Sequence, residues 1–410
     1  MGMVAPKEEV QKKAPAIVNP SLSKALTFQL VQAKQLQQCE QQWRQLSSTA
    51  LAPNVFYEPW TLLPALEHLS DGQDLHFLLI FGPSGKIGAE PLWGFFPLHI
   101  QSSYLGLPVK VMAFWQHIHC FLTVPLIDQS HAWEVLETFW NWFETNPFSC
   151  KMLDTNLFLG EGPLHQIWSD FLIGRLAHTL CEYPRAFLVP NGTTDAYLRS
   201  TVRKKHYDEF LRLERRFSEQ GTLEYHQVET ITEVDSFIDD FLRLEASGWK
   251  GRPGGGAFAL EQRDASYLRK IIRQGFLERR VNLLTLSCNG KVIAMKLNLM
   301  GGGGGFTFKI AFDEQYAKYS PGLLLELENM RRTFDNPKIQ WLDSCALARH
   351  PMANRIWKER RIIRQYLISD NSRSGNFWIS IFPLLRLVKQ QFKSEPVLSH
   401  LIRSTHKGNS

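Results

Sequence analysis

Apolar and polar positions change period along this chain, and the changes mark its elements. Val281 to Cys288 is apolar and β-prone, Asn289-Gly290 is a two-residue hairpin turn, and Val292 to Leu299 returns in alternation. Gly301 to Gly305 then interrupts the pattern, and Phe306 to Phe312 resumes a strand on which Phe306, Phe308 and Ile310 share one face and Lys309 takes the other. Behind Ser320-Pro321-Gly322, apolar residues recur at helical spacing through Leu323, Leu324, Leu327 and Met330, so a helix is predicted from about Pro321. Ile339 to Leu342 gives a further short strand ending in Asp343. The five glycines sit between two strands rather than before a helix, which reads as a flexible hairpin loop and not a phosphate cradle.

The first half carries a similar order. Helices are predicted at Gln35 to Leu46 and Pro59 to Leu69, strands at Leu75 to Phe81 and Leu92 to Ile100 around a Gly-Pro-Ser-Gly turn, then Val109 to Trp115, a helix at Ala132 to Glu144, and Met152 to Leu157. The second half adds helices at Val234 to Leu244 and Ser266 to Arg279 ahead of the hairpin. Between the halves, Thr194 to Gln220 reads as one long helix. Val202, His206, Phe210, Leu213 and Phe217 lie on one face, and Arg199, Arg203, Lys204, Lys205, Arg212, Arg215 and Arg216 fill the rest. Either a solvated bridge or a clamp for an anionic ligand fits that pattern.

A strand that turns into a helix start aims unpaired backbone amides and the positive end of the helix dipole at the loop, where a diphosphate fits. The strand, turn and helix in FKIAFDEQYAKYSPGLLLELENM, followed by WLDSCALARHPMANRIWKERR, resemble the GNAT superfamily of N-acetyltransferases, and within it the cellulose or exopolysaccharide biosynthesis acetyltransferases. The resemblance covers roughly 199 to 369 and includes an upstream Glu245-x-x-x-Trp249-Lys250 element. Tyr-Ser-Pro-Gly stands where the commoner GNAT phosphate loop has spaced glycines. The resemblance implies an α/β protein of tandem GNAT-like domains, each a mixed central sheet flanked by helices. On that reading 1–20 is a disordered start, 21–190 a degenerate domain, 191–220 the basic bridge, 221–370 the catalytic domain and 371–410 a helical tail.

The same resemblance implies transfer of an acyl group, acetyl from acetyl-CoA, by direct attack of an amine or hydroxyl on a sugar or cell-envelope precursor. Phe308, Ile310, Ser320, Pro321, Gly322 and Leu323 would hold the cofactor, while Glu245, Trp249, Arg252 and Lys309 would face the acceptor. Asp343, at a strand's carboxyl end, is the first candidate for general base, with a loop-capping carboxylate as the alternative. His350 is the second candidate base. Tyr316 and Tyr319 are candidate acids for the leaving sulfur, or packing residues. Cys345 lacks a companion base in the sequence, and the His117/His119 pair lacks a third metal ligand, so these histidines read as polar turn residues and no metal is expected.

Composition narrows the setting. The six cysteines are scattered without C-x-x-C pairs, which points to a reducing compartment. No apolar stretch has the length of a membrane span, so a cytoplasmic protein, at most peripheral to the membrane, is expected. Residues 331 to 410 hold fifteen Lys/Arg against five Asp/Glu. That excess favours an anionic partner and does not choose among CoA phosphates, a nucleotide sugar, nucleic acid or a lipid surface. DNA is not an expected partner. Two rivals stay open: a Fem-like transferase using aminoacyl-tRNA, with the basic bridge on the RNA, and a non-catalytic scaffold of an envelope-polymer synthase.

Overall fold

Two passes of one element order build a single sheet. A computed structural model describes residues 26–83, 87–88, 90–104 and 106–391. The expected disordered start, two residues of the Gly-Pro-Ser-Gly turn and the end of the tail lie outside them. The first pass lays down β1 (Thr27–Val31), β2 (Leu75–Phe81), β3 (Leu92–Gln101), β4 (Val111–Phe114), β5 (Leu126–Ile127), β6 (Met152–Asp154), β7 (Phe158–Leu159) and β8 (Ala177–Leu188). The second lays down β9 (Leu223–Gln227), β10 (Val281–Cys288), β11 (Lys291–Gly301), β12 (Gly304–Phe312), β13 (Trp341–Asp343) and β14 (Glu359–Ser369).

The spatial order is β1-β2-β3-β4-β6-β14-β8-β13-β12-β11-β10-β9, with β5 beside β3 and β7 beside β14. Read from either end, the order is the same series of roles. Each pass makes an antiparallel run, then one parallel pair: β4 with β6 at Val111↔Met152, and β12 with β13 at Gly304↔Trp341. Each pass then hands its last strand to the other. β14 joins β6 of the first half, β8 joins β13 of the second, and the two exchanged strands pair with each other from Glu359↔Phe187 to Ile368↔Ala177.

Helices cover both faces. Pro59–Leu69, Ile231–Ser247 and Gln262–Leu277 bury their apolar stripes on one face in a large cluster that also takes Phe306 and Phe308 from β12, while Ala132–Glu144 packs on the other side of β3, Phe139 stacking on Phe96 where Trp43 stacks on its neighbour Phe95. Lys204–Ser218 and Pro321–Phe334 close a second cluster on the opposite face, over Leu284, Leu286, Ile293 and Ala294. The expected single bridging helix is two, Thr194–Thr201 and Lys204–Ser218, because Val202 and Arg203 are extended at ψ 148 and 141. The break shifts the helical phase by one residue, so Tyr207 rather than His206 is buried with Phe210, Leu213 and Phe217. The C-terminal helix Arg373–Gln391 docks on the sheet through Ile379 and Phe382. Among the described residues no helix is long and apolar enough to cross a membrane.

The glycine run is an ordered turn rather than a flexible loop. Gly302 and Gly303 take φ 55 and 74, the left-handed pair of a tight hairpin, and a Cβ on Gly304 would lie 2.2 Å from the Trp341 ring. Glycine there lets β13 close against β12.

Candidate functional site

The parallel contact between β12 and β13 is short. It runs through Gly304↔Trp341, Gly305↔Leu342 and Phe306↔Asp343, after which β13 turns away through Cys345 at φ 53. Among the described residues no strand pairs with the rest of β12 on that edge. Where the strands part, β12 also carries a bulge: Leu297 pairs with Lys309 and Asn298 with Thr307, leaving Phe308 as the extra residue. Bulges re-aim side chains and concentrate beside active sites.

This bulge overturns the expected alternation. Phe308 and Ile310 no longer share a face, since Phe308 points into the large cluster while Ile310 faces the Pro321–Phe334 helix at Gly322. Lys309 turns to the Phe308 side. Its Nζ lies 4.8 Å from the ring centre of Phe258, 5.6 Å from that of Phe308 and 5.7 Å from that of Phe121. Among the described residues no acceptor is within hydrogen-bonding distance of it. Burial in this aromatic wall pulls its pKa down to about 8, against the attraction of Glu245. The neighbouring cation is matched: Lys250 Nζ donates to Glu245 Oε1 at 3.2 Å and to the Ile310 carbonyl at 2.9 Å. Glu245, buried, also accepts from Phe258 N at 3.0 Å, so it braces the wall rather than facing an acceptor.

Beside Lys309 lies a group of polar atoms that includes His117 and His119, which are buried rather than the polar turn residues their spacing suggests. His119 is 2% exposed, stacked 4.1 Å from Phe258 and parallel to Tyr267. Its Nε2 is 3.6 Å from Asp264 Oδ2, outside hydrogen-bonding distance. Burial lowers its pKa to about 4, with Asp264 opposing and Lys309 adding to the fall. Both His119 ring nitrogens, His117 Nε2, Asp264 Oδ1 and Tyr267 Oη are buried without a hydrogen-bond partner among the described residues. Arg263 Nε approaches Asp264 Oδ1 only to 3.8 Å. Each such atom costs about 1–3 kcal/mol, so a cluster of them marks a place where something other than stability decided the residues. No local signal pairs these positions, because the loop after β4 and the helix Gln262–Leu277 come from different halves of the chain.

Asp343 takes the alternative held open for it. It is fully buried; Oδ2 accepts from Arg361 at 2.9 Å, Oδ1 accepts from Cys345 N at 2.8 Å, and Arg185 stands 3.6 Å away. Arg185 in turn donates to the Phe121 carbonyl at 2.8 Å. With two guanidinium groups on its oxygens, Asp343 rivets β13, β8 and β14 and positions the Phe121 wall, and it is no general base. Asp343→Ala is expected to lose about 3–5 kcal/mol in urea denaturation, because the buried Arg185 and the half-buried Arg361 then lack their counter-charge.

The remaining expected positions are scattered around this centre. Tyr316 and Tyr319 pack against Phe217 on the opposite face of the sheet, Tyr319 in parallel at 4.9 Å, so they are packing residues rather than acids for a leaving group beside Lys309. His350 accepts from Ala353 N at 3.2 Å, and burial lowers its pKa. It caps a turn on the Lys296–Glu326 side, where that buried ion pair closes to 2.6 Å. Trp249 is exposed, and its N–H donates to Glu314 Oε1 at 2.6 Å. Arg252 faces the same carboxylate at 3.8 Å, so its charge is answered within the chain.

The helix start at Ser320 is more closed than the expected diphosphate cradle. Ser320 adopts φ 53 and ψ 51; its N–H goes to Ala317, and its carbonyl takes both Leu323 N at 2.9 Å and Leu324 N at 3.1 Å. Pro321 has no donor. Gly322 N is therefore the one amide of the turn left without a carbonyl, and Pro321, Gly322 and Leu323 are buried. A diphosphate would find one donor there instead of three.

Comparison with known proteins agrees with this topology. Residues 204–351 match the family model of the acetyltransferase (GNAT) domain. No curated protein matches the chain in sequence. FemX overlays with a TM-score of 0.51 at 8% identity, covering 80% of this chain and 95% of FemX. A conserved protein of unknown function from Bacteroides thetaiotaomicron VPI-5482 overlays at 0.50 and 10% identity, covering 84% and 99%. A tandem GNAT protein from the clavulanic acid biosynthesis pathway gives 0.44 at 14% identity, covering 85% and 99%, too loose an overlay to argue from. At these identities the shared property is the fold. The chain is an α/β protein of tandem GNAT-like architecture, one mixed sheet flanked by helices, in which residues 204–351 match the acetyltransferase (GNAT) domain.

Proposed function

We propose that this protein is a direct-transfer acyltransferase whose reaction is centred on Lys309. It moves an acyl group, acetyl from acetyl-CoA in the first instance, onto an amine or hydroxyl of a sugar or cell-envelope precursor. The observation that carries the reading is an unmatched ammonium in an aromatic wall, at the bulge where β12 leaves β13. Attack on an acyl carbonyl puts negative charge on oxygen, and a fixed cation in a low-dielectric site stabilises that charge. The new bond to the acceptor nitrogen or oxygen forms as the bond to the donor's leaving atom breaks, and the acceptor's proton must find a base.

Lys309 serves this role only while charged. Turnover is expected to fall as pH rises through about 8, where its folded-state titration lies. A rate profile from pH 6 to 10, with thiol release from acetyl-CoA as the readout, checks it; a flat profile across that range counts against the assignment.

A second reading of the donor rests on a specific observation. The helix start at Ser320 offers a single amide, while Arg203, Lys204, Lys205, Arg212, Arg215 and Arg216 on the bridging segment are exposed and form no ion pair among the described residues. An aminoacyl ester on RNA would suit those cations. Binding of acetyl-CoA and of aminoacyl-tRNA, each measured at two salt concentrations, separates the readings. An RNA donor gives affinity that falls steeply with salt, and a CoA donor gives binding that changes far less.

A further inference from the structure

The loop after β4 and the first two turns of the helix Gln262–Leu277 meet at Lys309 and leave five buried polar atoms there without a hydrogen-bond partner among the described residues: His117 Nε2, His119 Nδ1 and Nε2, Asp264 Oδ1 and Tyr267 Oη. We propose that these atoms form the acceptor subsite, that the acceptor is an uncharged or amine-bearing polyhydroxyl group such as an amino sugar, and that His119 takes the proton from its attacking atom. The inference rests on placing acyl transfer at Lys309.

Three features support it. First, the atoms mix donors with acceptors: a carboxylate oxygen, a phenol and imidazole edges, the set that hydroxyl and amine groups satisfy and a bare anion does not. Second, the charges around these atoms balance. Glu245 and Lys250 are paired with each other, and Lys309 stands opposite Asp264, so an added phosphate or carboxylate would face an acidic oxygen with one cation to answer it. Third, Phe258 and Tyr267 flank the faces of His119 and leave only its edges for bonding, while the exposed Ile118, Leu260 and Trp249 adjoin the loops that carry the wall. Polar edges beside apolar surface suit a sugar ring.

The geometry also assigns a direction to the proton. Nε2 of His119 faces Asp264 Oδ2, so the tautomer protonated there leaves Nδ1 as the acceptor. When the attacking nitrogen or oxygen bonds to the acyl carbon, its proton passes to Nδ1 and the imidazolium formed faces the carboxylate at its other edge; the carbon–sulfur bond of acetyl-CoA then breaks, the carbonyl re-forms, and the expelled thiolate leaves as CoA with the proton the imidazolium gives up. The charged or titratable groups facing His119 are His117 on its own loop, Asp264 and Tyr267 on the helix Gln262–Leu277, Lys309 on β12 and Glu245 at the end of the helix Ile231–Ser247.

The test uses the full chain, acetyl-CoA as donor and glucosamine as acceptor probe. His119→Gln is expected to lower kcat about 100-fold, to raise KM for glucosamine, and to remove the acid limb of the kcat/KM profile, with calorimetric binding of acetyl-CoA unchanged. Asp264→Asn is expected to follow it. A wild-type enzyme that acetylates glucosamine beside a His119→Gln variant with the same kcat and the same acid limb overturns this inference and leaves Lys309 in place. Loss of transfer in His119→Gln but not in Lys309→Met keeps the subsite and sinks the oxyanion reading. A readout without turnover is nitrogen NMR of the imidazoles during glucosamine titration: shifts of the His117 and His119 signals support the subsite. Unchanged signals at millimolar probe overturn it, whatever the donor proves to be.

Discussion

Lys309→Met removes acyl transfer and leaves the protein folded. The expected loss in kcat is on the order of 10²–10³, the scale for deleting one preorganised oxyanion donor, with acetyl-CoA affinity little changed. The second half of the expectation comes from electrostatics. Burial holds the Lys309 pKa at about 8 against the 10.5 of an ordinary lysine, so at neutral pH the folded protein carries an ammonium it would rather not charge. The sign follows: the penalty is fully present below about pH 8 and fades as pH rises toward 10.5, because over that window the unfolded chain binds the proton and the folded one does not. Wild type is therefore expected to gain stability across that window relative to Lys309→Met, whose methionine packs among Phe121, Phe258 and Phe308 without a charge to desolvate. Melting temperatures of both proteins from pH 7 to 10 measure this. Equal turnover in the two proteins, or a methionine variant that unfolds at neutral pH, would remove Lys309 from the centre of the reaction.

Neither half of this chain is expected to fold alone. Cutting between residues 190 and 191 separates β8 from β13 and β14 from β6, and each fragment loses the strand at the middle of its own sheet. Each also keeps a strand whose partner has gone, exposing a long unpaired edge. The cut further parts the helices Pro59–Leu69 and Gln262–Leu277, which pack so closely that a Cβ on Gly275 would lie 2.8 Å from Trp60, and breaks the Arg44–Glu278 and Arg280–Glu58 ion pairs at 2.7 and 3.1 Å. Residues 26–190 and 191–391, expressed separately, are expected to be insoluble or without cooperative melting, whereas co-expression returns a soluble complex. A 191–391 fragment that melts cooperatively as a monomer would show that the exchange is dispensable.

Local pattern carried the reading a long way where strands and helices face the cores in regular alternation. The Asn289-Gly290 hairpin, the helix opening at Pro321 and the Leu75–Phe81 strand are where the periodicity put them. What escaped was the centre of the sheet. β8 contains Pro184, and β14 begins Glu-Arg-Arg, so both read as poor strands. Their polar side chains are answered from distant segments, Arg361 and Arg185 by Asp343 and Arg364 by Glu182, and β13 reaches only Phe187 and Leu188, leaving Pro184 with one neighbouring strand. The Phe308 bulge was equally silent: no glycine announces it, and yet it reverses which way Lys309 points. The His119 and Asp264 juxtaposition exists only in three dimensions. The choice of Asp343 as base followed the rule that strand ends collect ligands; burial between two arginines outweighed it.

The unbroken ladder from β1 to β9 has a kinetic corollary. Tandem proteins joined by a linker open their clefts by swinging one lobe against the other, but a sheet whose two middle strands are traded has no hinge on which to swing. On the proposed reaction, entry to Lys309 would then fall to short peripheral segments, the turn after β4, the stretch from Gly248 to Phe258 and the one from Ser344 to His350, over a continuous sheet. Product egress through those flaps, rather than lobe reopening, would set the pace of each catalytic cycle.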